Sequence, residues 1–87
     1  MATFYQPWIA ATDYESFRRM VPGLPITYAK WELLALQEAS QEQGRGHEVA
    51  AVHIVPVEFD TACRERGIGR TTDGLRHFAH QKAIAGG

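Results

Sequence analysis

One apolar run near the middle of the chain, EVAAVHIV at residues 48–55, restricts the possible folds more than any other feature. The run is rich in valine and isoleucine and is followed by Pro56, which predicts a strand that ends there. A strand with one solvent-facing side alternates apolar and polar residues, whereas this run is apolar at almost every position. We therefore expect both faces of this strand to be covered, at least in part.

A second strand is predicted near the start of the chain, where TFYQPWIA at residues 3–10 combines aromatic and β-branched side chains. Pro7 interrupts this stretch and has no backbone N–H to donate to a ladder. Because a proline is tolerated only where no neighbouring strand needs that N–H, we expect this strand to lie at the edge of a sheet.

Two helices, a short one and a long one, are predicted between the strands, separated by the helix-breaking sequence PGLP. Thr12 and Glu15 fit a capping box at the start of the short helix. Thr27 fits the N-cap of the long helix, and Gly44 lies where a left-handed residue would end it.

The last third of the sequence predicts two further helices. Pro56 can serve as the first residue of one, and Gly67 closes it as a left-handed C-terminal residue. The final helix should start at Thr71 or Thr72, and we expect the tail at residues 84–87 to be frayed.

These elements predict an α+β fold, with a small two-stranded sheet and about four short helices in the order β-α-α-β-α-α. The chain has 87 residues, which suits a single domain over residues 1–87. The two strands should lie side by side with the helices packed on one face. Since a two-stranded sheet is barely stable alone, a homodimer or another protein partner is expected to extend or cover it. The candidate interface residues are Trp8, Val52 and Ile54.

Composition excludes several classes of protein. The formal net charge of −1 gives no overall attraction to nucleic acid or to an anionic membrane. One cysteine cannot form an internal disulfide, and the first residues lack the basic and apolar regions of a signal peptide. No apolar run approaches the ~18 residues that a membrane span needs. We therefore expect a soluble, cytoplasmic protein without membrane association.

Charge is distributed unevenly along the chain. Residues 1–60 hold four Lys or Arg against eight Asp or Glu, whereas residues 61–87 hold five against two. This asymmetry is compatible with a basic patch in the last third, and equally with charge complementarity within the fold or between subunits.

The basic stretch CRERGIGRTTDGLRHFAHQK, residues 63–82, contains the turn GIGRTT. Its spacing departs from that of a phosphate-binding loop and it lacks the lysine, so a helix C-cap followed by an N-cap is the simpler interpretation. A helix-turn-helix is disfavoured, because Arg66 and Asp73 fall where that motif needs apolar core residues.

The order strand, helix, GIGRTT, helix over residues 48–83 is similar to the ribbon-helix-helix repressors and antitoxins. The resemblance implies that two chains pair their strands and insert the paired ribbon into the major groove. Two features depart from the family: the first helix is about one turn short, and only His53 on the strand could reach base edges. Contacts would then fall mainly on phosphates, and the candidate residues are Arg64, Arg66, Arg70 and Arg76.

Chemical activity has a few candidate residues. His77 and His80 lie three apart on one helix, and Cys63 precedes the turn. Zinc needs three or four converging ligands, whereas the helix pattern directs the thiol inward, so neither a metal nor a cofactor is expected. A nucleophilic role for Cys63 would need an exposed thiolate, and no such constellation is predicted.

The leading interpretation is a small non-catalytic protein, acting as a dimerisation or protein-interaction module. The alternatives are a nucleic-acid-binding regulator of the ribbon-helix-helix kind, and a small enzyme or metal protein that uses Cys63 with His77 and His80. The large aromatic side chains are expected in the core and interface, since a domain of this size needs them for burial.

Overall fold

The computed structural model describes residues 2–86. Its elements follow the order β-α-α-β-α-α, which confirms the predicted α+β fold. A short 3-10 turn leads directly into the first helix. The elements are β1 (Thr3–Ile9), the 3-10 turn (Ala11–Asp13), α1 (Tyr14–Met20), α2 (Tyr28–Gly44), β2 (Glu48–Ile54), α3 (Pro56–Arg66) and α4 (Thr72–Gly86).

The two strands pair in parallel, with Thr3 opposite Glu48 and Ile9 opposite Ile54. The Glu48 N–H donates to the carbonyl of Ala2 at 3.1 Å. In a parallel ladder, this bond fixes which residues face the partner strand. Even-numbered residues of both strands bond across the pair, and odd-numbered residues direct their backbone groups outward.

Pro7 is one of the outward-facing residues of β1, so its missing N–H costs the ladder nothing. The structure thereby confirms that β1 is an edge strand, since the sheet has only β1 and β2 within residues 2–86.

Helices cover both faces of β1, not one face as expected. The Gln6 side chain donates from Nε2 to the carbonyl of Ala35 in α2 at 2.6 Å. The Tyr5 ring packs edge-on against His80 of α4, with centroids 5.3 Å apart. Because successive side chains of a strand point to opposite faces, α2 and α4 lie on opposite sides of β1. Because β1 carries large side chains on both of its faces, a helix has to pack on each face to bury them.

The core is centred on the carboxyl ends of the two strands. Ile9 and Ile54 are both fully buried there. The ring of Phe59 in α3 packs between Phe17 of α1 and Phe78 of α4, at centroid distances of 5.9 and 5.7 Å. Three helices therefore meet beside this end of the sheet and bury its last pair of residues.

Helix starts were predicted with mixed success. The Thr27 side chain accepts from the N–H of Lys30 at 3.2 Å, which confirms the N-cap of α2. The capping box of Thr12 and Glu15 is wrong, because Thr12 lies inside the 3-10 turn and α1 begins after Asp13 without a side-chain cap. The preceding 3-10 turn already orders the backbone at this point, so α1 forms without a side-chain N-cap.

The end of α2 falls two residues later than predicted. Gly44 is the last helical residue, and the left-handed residue is Gly46, with φ 84°. The N–H of Gly46 bonds to Gln43 O at 3.0 Å, and that of His47 bonds to Glu42 O at 3.0 Å. This pair of bonds is the Schellman motif with Gly46 in its left-handed position.

The C-terminal helices follow the prediction closely. Pro56 opens α3 and Gly67 ends it with φ 69°. Helix α4 begins at Thr72 but continues to Gly86, through residues expected to fray, and Gly87 lies outside the described residues. No helix within residues 2–86 is both long and apolar enough to cross a membrane.

Candidate functional site

The outer edge of β2 carries backbone groups that the fold leaves unused. Val49, Ala51 and His53 are the outward-facing residues of this strand by the parallel ladder pattern. The carbonyl of His53 accepts from Lys82 Nζ at 2.8 Å. Across residues 2–86, no hydrogen bond engages the outward N–H and C=O groups of Val49 and Ala51. We name the backbone of Val49, Ala51 and His53 the open edge.

The opposite edge of the sheet, on β1, is less suited to further pairing, although the outward backbone groups of Thr3 and Tyr5 are also unbonded within residues 2–86. Pro7 removes a donor from its middle, and the carbonyl of Ile9 already accepts from the Tyr28 hydroxyl at 2.9 Å. Proline and covering groups are how natural proteins prevent unwanted pairing at sheet edges. Each edge has one carbonyl that already accepts from a side chain, that of Ile9 from Tyr28 and that of His53 from Lys82, but the open edge of β2 contains no proline and is therefore the more suitable side for an added strand.

One face of β2 is also uncovered. Ala51 and His53 are exposed and Val49 is half-buried on the face that α2 shares with β1. Helix α2 contacts Gln6 and Trp8 of β1, and the exposure of Ala51 and His53 shows that the C-terminal half of β2 is uncovered on this face. The expected cover on both faces of this strand is therefore complete only at its buried end.

The three predicted interface residues lie elsewhere. Ile54 is fully buried, and Trp8 packs against Trp31 with ring centroids 5.1 Å apart. Val52 is half-buried against the core. All three are engaged within the chain, and their role at an interface stays a prediction. Sequence reasoning did not single out Val49 and Ala51, because only the register of the sheet determines which backbone groups face outward.

Arginines of the C-terminal third pair with acids of the same chain. Arg70 contacts Asp60 at 2.7 Å, and Arg64 contacts the same carboxylate at 3.1 Å. The hydrogen bond from Arg70, supported by the charge of Arg64, lowers the pKa of Asp60 from its ordinary value. Both guanidinium groups therefore have a counter-ion within the fold.

Arg76 and Arg66 are also engaged. Arg76 contacts Glu38 at 2.5 Å and Asp73 at 2.9 Å. Burial opposes the charge of Arg76, but its bonds to these two carboxylates outweigh burial and raise its pKa. Arg66 donates to the Gln81 side chain at 2.6 Å. The uneven charge along the sequence is thus largely matched inside one molecule.

The segment that resembles ribbon-helix-helix proteins has a different strand environment here. β2 pairs with β1 of its own chain, whereas the resemblance implies pairing between two chains alone. Duplex binding through Arg64, Arg66, Arg70 and Arg76 stays a prediction.

The candidate reactive groups do not converge. Cys63 is buried, and burial raises the pKa of its thiol. His77 accepts a hydrogen bond from Gln81 at 3.0 Å, while His80 packs on Tyr5. Within residues 2–86, no group of three His, Cys, Asp or Glu side chains is placed to hold a metal ion.

A shallow cleft of about 540 Å³ lies between α3 and α4. Its charged and amide groups bond to one another: Lys82 to Glu58 at 2.7 Å, and Arg66 to Gln81 at 2.6 Å. These side chains are therefore already partnered, and the cleft presents no preorganised set of polar groups for a ligand. The open edge, by contrast, has backbone groups whose hydrogen-bonding capacity is unused.

Comparison of the chain with models of protein families, with curated proteins and with solved structures finds no match. Inference about function therefore depends on the geometry described above.

Proposed function

We propose that this protein is a non-catalytic interaction module that binds an extended polypeptide strand along the open edge of β2. The observation that carries the proposal is the unused backbone capacity of Val49 and Ala51. Strand addition satisfies such groups with main-chain hydrogen bonds, each contributing about 0.5–1.5 kcal/mol net.

The stability of the sheet and the order of β2 support this proposal. A sheet of two strands is marginal in isolation, and a third strand stabilises it by adding a second ladder. One side of β2 is already held by β1, and its last residue, Ile54, is fixed in the core. The open edge is therefore ordered before a partner arrives, which lowers the entropic cost of binding.

The open edge is also sterically accessible. Ala51, at its centre, has a small and exposed side chain, so an incoming backbone meets little obstruction.

A pair of proline variants tests the proposal. Ala51→Pro removes an outward N–H, so it should leave folding largely intact but weaken binding of an added strand about tenfold. Ala50→Pro removes an N–H that bonds to β1, so it should destabilise the fold by about 3 kcal/mol. Urea unfolding measures stability, and fluorescence anisotropy measures binding of two labelled peptides, HEVAAVHIV and an alternating Thr-Val nonapeptide.

Amide hydrogen exchange provides the direct measurement. A bound strand should slow exchange of the Val49 and Ala51 amides, while the Ala50 and Val52 amides are slow throughout because they bond to β1. The proposal is refuted when neither peptide binds and the Val49 and Ala51 amides exchange rapidly at every protein concentration. Peptide binding that is unchanged in Ala51→Pro would also refute it, since the peptide would then lie elsewhere.

A further inference from the structure

We infer that the strand occupying the open edge is β2 of a second copy of this chain, antiparallel to the first, with Ala51 on the two-fold axis. This inference rests on the proposed function and names the partner of the same edge. The product is a four-stranded sheet in the order β1-β2-β2-β1.

Backbone geometry makes the open edge complementary to itself. In the antiparallel arrangement centred on Ala51, the two Ala51 residues face each other and exchange both of their hydrogen bonds. Val49 then faces His53 of the partner subunit, and the reverse pair forms on the other side of the axis. A two-fold interface must use the same patch on both subunits, and this edge meets that condition.

Small size at the axis favours this register. The residues at the two-fold axis are both Ala51, which is exposed and carries only a methyl group, and the closest approach falls on the neighbouring non-hydrogen-bonded pairs of Ala50 with Val52 of the partner subunit. The His53 carbonyl, which accepts from Lys82, must also accept from the Val49 N–H of the partner subunit, so the Lys82 side chain has to share this oxygen or move away.

Charge selects the antiparallel direction. Glu48 is exposed at the start of β2, and Lys82 lies at the His53 carbonyl near its end. Glu48 lies on the face of the sheet that α4 covers, because its side chain shares the face of Ile54. Antiparallel pairing sets each Glu48 opposite Ile54 of the partner subunit and keeps the two Glu48 carboxylates apart, whereas parallel pairing would place them side by side.

The other edge of the sheet explains why assembly stops at two subunits. Each outer strand of the four-stranded sheet is β1, where Pro7 interrupts the donors and Tyr28 occupies the Ile9 carbonyl. A further strand at this edge would find no donor at Pro7 and an occupied carbonyl at Ile9. The fold therefore favours a closed dimer over a growing fibre.

Opposite charges at position 51 provide the test. Ala51→Lys and Ala51→Glu each place two like charges across the axis, so each variant alone should dimerise about fivefold more weakly than the original chain. An equimolar mixture should recover dimers, because Lys and Glu then face each other. Sedimentation velocity over a concentration series measures the dimer fraction, and Leu33→Lys on α2 is the matched surface control, expected to leave dimerisation unchanged.

Each other result counts against the inference. A dimer that survives both single variants, or that Leu33→Lys disrupts, uses another surface. Weak single variants without recovery in the mixture place the axis away from Ala51. If the chain is monomeric at all concentrations but binds the Thr-Val peptide, the inference is overturned and the proposed function stands. If the chain is monomeric and binds neither peptide, both are overturned.

Discussion

At the scale of single residues, the tightest requirement falls on Gly74, in the first turn of α4. A β-carbon at this position would overlap the carbonyl oxygen of Gly69 and press on Ile68 Cγ2 at 3.3 Å. The amide of Gly74 also bonds to Thr71 Oγ1 at 3.0 Å, which holds the helix start against the turn. Only a residue without a side chain permits this close approach of two backbone segments.

Gly74→Ala should therefore destabilise the protein by about 2 kcal/mol, because the clash involves backbone atoms that cannot move independently. Gly69→Ala is the matched control. Its added methyl would meet only the Thr71 side chain, at 3.8 Å and beyond, so its effect should be within about 0.5 kcal/mol. Urea unfolding of both variants measures the difference, and equal effects would disprove the assigned packing.

At the scale of secondary structure, the chain reverses between α2 and β2 through a left-handed residue. Gly46 has φ 84°, whereas Gly44 ends the helix without a positive φ. An L-residue in the left-handed region suffers a steric penalty, while glycine inside a helix costs conformational entropy. The two glycines therefore have opposite energetic roles despite being two residues apart.

Alanine at each of these glycines should change stability in opposite directions. Gly44→Ala should stabilise the protein by roughly 0.5–1 kcal/mol, since nothing lies within 4 Å of the added β-carbon. Gly46→Ala should destabilise it by about 1 kcal/mol through backbone strain. Thermal and urea unfolding check both signs, and destabilisation by Gly44→Ala would instead support the helix end expected from the sequence.

At the scale of the whole molecule, ion pairs connect the acidic first part of the chain to the basic last part. Arg76 of α4 contacts Glu38 of α2 and thereby joins helices that lie on opposite faces of β1. The side chains are 41% and 31% accessible, so solvent screens the interaction. Each such pair contributes little to the free energy of unfolding on its own. Together, the pairs bring acidic side chains of the first part of the chain into contact with basic side chains of the last part.

A double-mutant cycle on Arg76→Gln and Glu38→Gln should give a coupling free energy of about 0.5 kcal/mol. The coupling should decrease in high salt, because mobile ions screen partly exposed charges. Arg66→Gln combined with Glu38→Gln is the control, since Arg66 bonds to Gln81 instead. A coupling of zero at low salt would show that the two helices are held by packing alone.

Much of the architecture is determined locally and can be predicted from the sequence. Pro56 and Gly67 delimit α3, Thr27 caps α2 and Pro7 marks an edge strand, because each acts through its own backbone chemistry. The inward direction of Cys63 likewise follows from its place on a helix face. Such features need no knowledge of distant residues.

The open edge was decided by tertiary structure alone. Which groups of β2 face outward depends on its register with β1, and that register depends on residues more than forty positions apart. The exposure of Ala51 and His53 likewise depends on where α2 packs against the sheet, which its contacts with Gln6 and Trp8 help to fix. An apolar sequence predicts that a strand is buried. Only the packed chain determines which edge and face remain free, because pairing with one neighbour satisfies the backbone groups on one side of a strand and leaves those on the other side unbonded.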